Sequence, residues 1–108
     1  MLLKNLMEKT EFEVINKGNT DIEISKPFCC DLLSIAMGKA PAGAVWVTVM
    51  GNVNTIAVAS LAEVACVIFA EGVKPDDVAI EKAKTENITL LASKEPIFET
   101  ATKITEYI

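Results

Sequence analysis

The chemistry open to this chain is limited by two residue types that it lacks. None of the 108 residues is histidine, and all ten basic residues are lysines. The absence of histidine excludes the commonest general base, the Ser-His and Cys-His nucleophile pairs and most zinc sites. The absence of arginine removes the bidentate fork that grips phosphates and carboxylates. The composition therefore favours a protein that binds over one that catalyses.

The residues that could still do chemistry lack the neighbours that such chemistry needs. Thr48, Ser60 and Cys66 are potential nucleophiles, but no base accompanies them. Asp76 and Asp77 could hold a metal ion, although acidic residues are ordinary in the first turn of a helix. No GxxxxGK[ST] phosphate loop occurs, so phosphoryl transfer has no machinery. We expect no enzyme activity, no metal and no cofactor.

The three cysteines indicate the compartment more than a reaction. Cys29, Cys30 and Cys66 form neither a secreted disulfide framework nor a CxxC pair. We expect buried, reduced side chains in a cytoplasmic protein. The alternative is a vicinal redox or metal-binding pair at Cys29 and Cys30.

Charge and hydropathy restrict the partners. The net charge of −5 argues against nucleic acid, whose phosphates need a basic face. Residues 44–70 are almost uncharged, but their strand-then-helix texture would leave unpaired backbone in lipid, so we expect no membrane span. The length fits a single domain over residues 1–108.

A central unit lies in residues 45–61. Its apolar, β-branched start, which includes Trp46, predicts a strand covered on both faces. Gly51 breaks this run, and either Asn52 or Asn54 can cap a helix that starts near Thr55. The helix over residues 56–62 is apolar nearly all round, so it must be covered by other elements or by a partner. We predict a homodimer to which this helix contributes.

The segments before the central unit alternate between helix and strand patterns. An apolar stripe over residues 2–7 predicts a short helix, and Phe12 and Val14 predict a half-buried strand. Residues 22–24 alternate again. Asp31 is placed to cap a helix over residues 32–37 that Gly38 ends.

The segments after the central unit repeat the strand-helix order twice. Residues 65–70 and 88–92 are apolar strands, and Pro75 suits the first position of the helix between them. Ser93 is placed to cap the last helix, on which Glu99 and Lys103 form an i,i+4 pair. This order predicts a three-layer α/β/α sandwich around a mostly parallel sheet of about 4–6 strands.

The candidate ligand site follows from this fold, because ligands bind where parallel strands end. Backbone N–H groups near the start of the central helix could receive an anion, and a lysine could add a positive charge. The alternative is that the glycines and asparagines only shape turns and cap helices. The candidate ligand-binding residues are Thr48, Gly51, Asn52, Asn54, Glu71, Gly72, Ser93 and Lys94.

Several runs resemble one family over nearly the whole chain. They are DLLS at residues 31–34, WVT at 46–48, NTIAVASL at 54–61 and EGVKPD at 71–76, followed by residues 88–91 and 98–99. The pattern resembles the DRTGG-domain family, whose members are often labelled HPr serine kinase-like. It is similar to the N-terminal domain of HPr kinase, an α/β domain without the kinase active site.

The resemblance implies a regulatory or ligand-binding module that commonly dimerises. Relatives of this kind are fused to nucleotide-sensing domains of pyrophosphatases and phosphotransacetylases. We therefore expect a non-catalytic module that senses a small metabolite or nucleotide as a homodimer. The alternative is a protein–protein adaptor or dimerisation module for a metabolic enzyme, without a small ligand. A small enzyme with carboxylate or thiol chemistry is the weakest alternative.

Overall fold

Five strands and five helices make up the computed structural model, which describes residues 1–108. The strands are β1 Glu13–Asn16, β2 Pro27–Cys29, β3 Val45–Thr48, β4 Cys66–Phe69 and β5 Thr89–Ala92. The helices are α1 Leu3–Lys9, α2 Leu33–Lys39, α3 Val53–Ala62, α4 Asp77–Glu86 and α5 Ile97–Thr105. The strands form one sheet in the order β1-β5-β4-β3-β2. Only β1 runs antiparallel to its neighbour.

Alternation along the central strands builds two cores, one on each face of the sheet. Trp46 and Phe69 point into the core under α2, α3 and α4. Val47 and Ile68 point into the opposite core under α1 and α5. All four side chains are fully buried, and each such burial stabilises the fold by roughly 1.5–3 kcal/mol. The three-layer sandwich with a mostly parallel sheet is therefore confirmed.

The central helix starts where the chain offers its best cap. Asn52 is the N-cap of α3, and its side-chain oxygen accepts hydrogen bonds from the backbone N–H groups of Asn54 and Thr55. Of the two caps left open by the sequence, the structure uses Asn52, and the helix begins at Val53. The helix ends at Ala62, and its C-cap, Glu63, adopts the left-handed conformation with φ of 56°.

Two predicted helix ends are wrong by one or two residues. Pro75 lies before the N-cap of α4, which is Asp76, because the Asp76 side chain accepts a hydrogen bond from the backbone of Ala79 at 2.8 Å. Gly38 lies inside α2 and does not end it, since the helix continues to Lys39.

The edge strand β1 is less buried than its alternation predicts. Val14 is 49% exposed, because β1 lies at the edge of the sheet. The pairing with β5 shifts register between Val14 and Asn16. Ile15, in between, packs against the core under α4. The predicted half-buried strand is present, but Ile15, and not Val14, makes its apolar contact with the core under α4.

Burial of the Cys66 thiol makes the free energy of unfolding depend on pH in the alkaline range. Complete burial raises the pKa of Cys66 from 9.0 to about 12. Only the unfolded chain ionises this thiol between those values, so its contribution to stability is present below pH 9.0 and lost as the pH rises.

We expect the free energy of unfolding to fall by about 1.4 kcal/mol more in the wild type than in Cys66→Ala between about pH 8 and about pH 10. Urea titration at both pH values measures this difference, and the variant corrects for lysine and tyrosine titration. An equal fall in both proteins would contradict the expected ionisation.

Candidate functional site

The turns that follow β4 and β5 are joined by backbone hydrogen bonds. The Gly72 N–H donates to the carbonyl of Ser93 at 3.0 Å, and the Glu71 N–H donates to that of Glu95 at 2.8 Å. Glu71 and Gly72 hold φ values of 60° and 72°, a left-handed pair that turns the chain sharply after β4. The two turns therefore form one rigid rim at the carboxyl ends of the strands.

Ser93 fixes this rim and does not cap the last helix. Its hydroxyl oxygen accepts hydrogen bonds from the Thr100 hydroxyl at 2.9 Å and from the Glu95 N–H at 3.2 Å. The N-cap of α5 is Pro96, which offers no side-chain bond. The predicted cap is wrong because Ser93 lies three residues before the N-cap, where the Glu95 N–H is within its reach.

A groove of about 370 Å³ opens beside this rim, between β1, the turn after β4 and α5. Three of the candidate ligand-binding residues line it, namely Gly72, Ser93 and Lys94. The other lining residues are Glu11, Phe12, Glu13, Lys74, Ala92, Glu95 and Lys103. Because β1 and the residues before it form one wall, the groove contains residues that the sequence pattern does not indicate.

Two ion pairs cross the groove walls. Lys74 contacts Glu13 at 2.7 Å, which ties β1 to the segment after β4. Lys103 contacts Glu95 at 2.6 Å, and this contact raises the pKa of Lys103, with Glu11 adding to the effect. The predicted Glu99–Lys103 pair is wrong, because the Lys103 amine contacts Glu95 in the segment before α5 and not Glu99 one helical turn earlier.

The buried hydroxyl of Thr48, at the end of β3, is bonded to Asp31, an exposed residue in the loop after β2. The Thr48 hydroxyl donates to the Asp31 carboxylate at 2.7 Å, and the Val49 N–H donates to the same oxygen at 3.0 Å. Asp31 is therefore not the cap of α2, whose N-cap is Leu32 without a side-chain bond. The carboxylate is used by the end of β3, since β2 and β3 are neighbours.

The turn after β3 is closed and does not reach the groove. Gly51 packs against the segment before α4, where a Cβ would lie 2.9 Å from the carbonyl oxygen of Lys74. The Gly51 carbonyl also accepts the Asp76 N–H at 2.9 Å. Asn52 is used as a cap, and Asn54 lies within α3. The groove walls therefore lack the four candidate residues of β3, the turn after it and the start of α3, namely Thr48, Gly51, Asn52 and Asn54. Glu71, in the turn after β4, is also absent from the groove walls.

The cysteines are free and differ in environment. Cys66 is buried, Cys29 is exposed and Cys30 is half-buried, so the expectation of three buried thiols holds for Cys66 alone. Partial burial, followed by the Asp31 carboxylate, raises the pKa of Cys29. No group of three or more metal-ligating side chains is found.

No helix combines the length and the apolar character needed to cross a bilayer.

The layers and the strand order define the class of the molecule as a three-layer α/β/α domain with one antiparallel edge strand. Residues 5–107 match the model of the DRTGG domain, so the chain belongs to the DRTGG-domain family. The family resemblance stated from the sequence is confirmed.

One solved structure gives a close comparison of the fold. It is the complex of the CBS and DRTGG domains of the regulatory region of Clostridium perfringens pyrophosphatase with its activator, diadenosine tetraphosphate. The TM-score is 0.76 at 19% identity, over 94% of this chain and 45% of that one. This chain thus spans less than half of that regulatory region. No protein of curated function matches the chain.

Removing the Asp31 carboxylate should destabilise the fold. In Asp31→Ala the buried Thr48 hydroxyl and the Val49 N–H lose their acceptor, and we expect a loss of about 1–3 kcal/mol in the free energy of unfolding. Urea unfolding measures it, with Ser34→Ala, in the same loop-to-helix segment and without a side-chain bond, as the control. A loss in Asp31→Ala no larger than in Ser34→Ala would contradict this role.

Proposed function

We propose that the chain is a non-catalytic regulatory domain that binds a small metabolite or nucleotide in the groove and acts as a homodimer. The observation that carries the proposal is the position of the groove at the carboxyl ends of β4 and β5, the edge where α/β proteins bind ligands. Its volume of about 370 Å³ lies within the range of small-molecule sites. Free thiols fit a reducing, cytoplasmic setting.

The surroundings of the potential nucleophiles support a binding role over catalysis. The Thr48 hydroxyl is fully buried and donates to a carboxylate. Complete burial raises the pKa of Cys66 to about 12, which keeps this thiol protonated. Neither side chain opens into the groove. The groove walls hold lysines and carboxylates that are largely engaged with one another.

A ligand screen tests the binding role. Diadenosine tetraphosphate, ATP, phosphoenolpyruvate, acetyl-CoA and the free amino acids are the probes, and thermal unfolding is the readout. A ligand at about a hundredfold excess over its Kd stabilises the native state by about 2.7 kcal/mol. That corresponds to a rise in Tm of roughly 10 °C or more for a chain of this size.

The matched variants are Lys94→Gln in the groove and Lys39→Gln at the end of α2, outside it. We expect Lys94→Gln to lose about half of the thermal shift, because tenfold weaker binding leaves about 1.4 kcal/mol of stabilisation, and Lys39→Gln to keep all of it. A shift that both variants keep would contradict binding in the groove. A screen without any shift would favour the alternative of a protein–protein adaptor without a small ligand. The apolar side chains exposed on the surface also support that alternative.

The exposed face of α3 supports the homodimer. The helix holds no charged residue, and its outer stripe is Asn54, Ala57 and Leu61, with Leu61 73% exposed. Ile35 on the neighbouring α2 is also exposed. In a chain of net charge −5, this uncharged face is where two copies could meet without repulsion.

Light scattering coupled to gel filtration should give twice the chain mass of 11.6 kDa. We expect Leu61→Lys to give a monomer, because it places a charge in the interface. Val78→Lys is the control, since Val78 is 63% exposed on α4 and not on α3. A monomeric wild type, or equal effects of the two substitutions, would contradict the proposed dimer.

A further inference from the structure

The charges of the groove are balanced. Its walls carry three lysines, Lys74, Lys94 and Lys103, against three glutamates, Glu11, Glu13 and Glu95. Two of the lysines are already paired with two of the glutamates. One side chain of each sign is left without an ion pair, Lys94 and Glu11. Both are exposed and both line the same cavity.

A polyanionic ligand fits this cavity poorly. Lys74 and Lys103 would have to leave their carboxylates to receive phosphates, and those carboxylates would then repel the ligand. The rim offers little backbone help, because the N–H groups of Glu71 and Gly72 already donate to the turn after β5. The net charge of −5 adds to the repulsion.

The remaining features suit a ligand with one charge of each sign and a small apolar part. Lys94 offers donors for a carboxylate, and Glu11 offers acceptors for an ammonium group. Phe12 and Ala92 supply the apolar part of the wall. We propose that the ligand of the groove is a zwitterion, a free amino acid. This inference rests on the proposed binding of a small ligand in the groove, and it narrows the class of that ligand.

Nuclear magnetic resonance of the ¹⁵N-labelled protein tests the inference. The probes are the common L-amino acids, each then compared with its N-acetyl derivative and its carboxamide, which lack the ammonium and the carboxylate charge. We expect at least one amino acid to shift the backbone signals of Gly72, Ser93 and Lys94. We expect each derivative to bind about tenfold more weakly, the loss typical of one charge-assisted hydrogen bond.

The variants assign each charge to its partner. Lys94→Gln should weaken binding of the amino acid but not of its carboxamide, and Glu11→Gln should weaken binding of the amino acid but not of its N-acetyl derivative. Lys39→Gln and Glu99→Gln, which lie outside the groove, should bind as the wild type does. The same spectra show that each variant is folded, so a loss of binding is not a loss of structure.

The outcomes separate this inference from the proposed function. If ATP or diadenosine tetraphosphate shifts the groove signals and no amino acid does, the inference is wrong and the proposed sensing role stands. Equal binding of an amino acid and its two derivatives would also overturn it. If no probe shifts these signals, both the inference and the binding role are contradicted.

Discussion

Two-sided burial of the central strands is the constraint on which the rest of the structure depends. Every residue of β3, β4 and β5 is buried, so helices must cover both faces of the sheet. Parallel pairing of these strands requires a helix in each connection, and it brings the turns that follow them to one edge. The closed turn after β3 and the rim after β4 and β5 both follow from this arrangement.

Local patterning predicted the order of elements from β3 to α5, because continuous apolar runs and amphipathic stripes carry that information within a few residues. The caps were harder to predict. Asp31 and Ser93 both precede a helix and both have the right side chain, yet neither caps it. Asp31 instead accepts from Thr48, which lies beyond α2 in sequence and reaches it only when β2 and β3 pair. Ser93 accepts from Thr100, which lies inside α5 and not in its first turn.

The groove could be predicted only in part for the same reason. The rule that ligands bind where parallel strands end led to Gly72, Ser93 and Lys94. The other wall comes from β1, whose antiparallel pairing with β5 has no local signal in the sequence. The carboxylates of Glu13 in β1 and of Glu11 just before it change the cavity from basic to balanced. Of the two side chains on which the choice of ligand rests, patterning indicated Lys94 and missed Glu11.

The pairing of β1 with β5 has a consequence for how the molecule folds. The β3–α3–β4–α4–β5 succession joins neighbours along the chain, whereas Glu13 of β1 must find Ala92 near the other end. Closing so long a loop is slow, because its entropy is lost before any contact compensates for it. The β1 edge should therefore assemble last and open first in native-state hydrogen exchange. A ligand held between β1 and α5 would slow hydrogen exchange at this edge selectively. It would bind only those molecules in which β1 has joined the sheet.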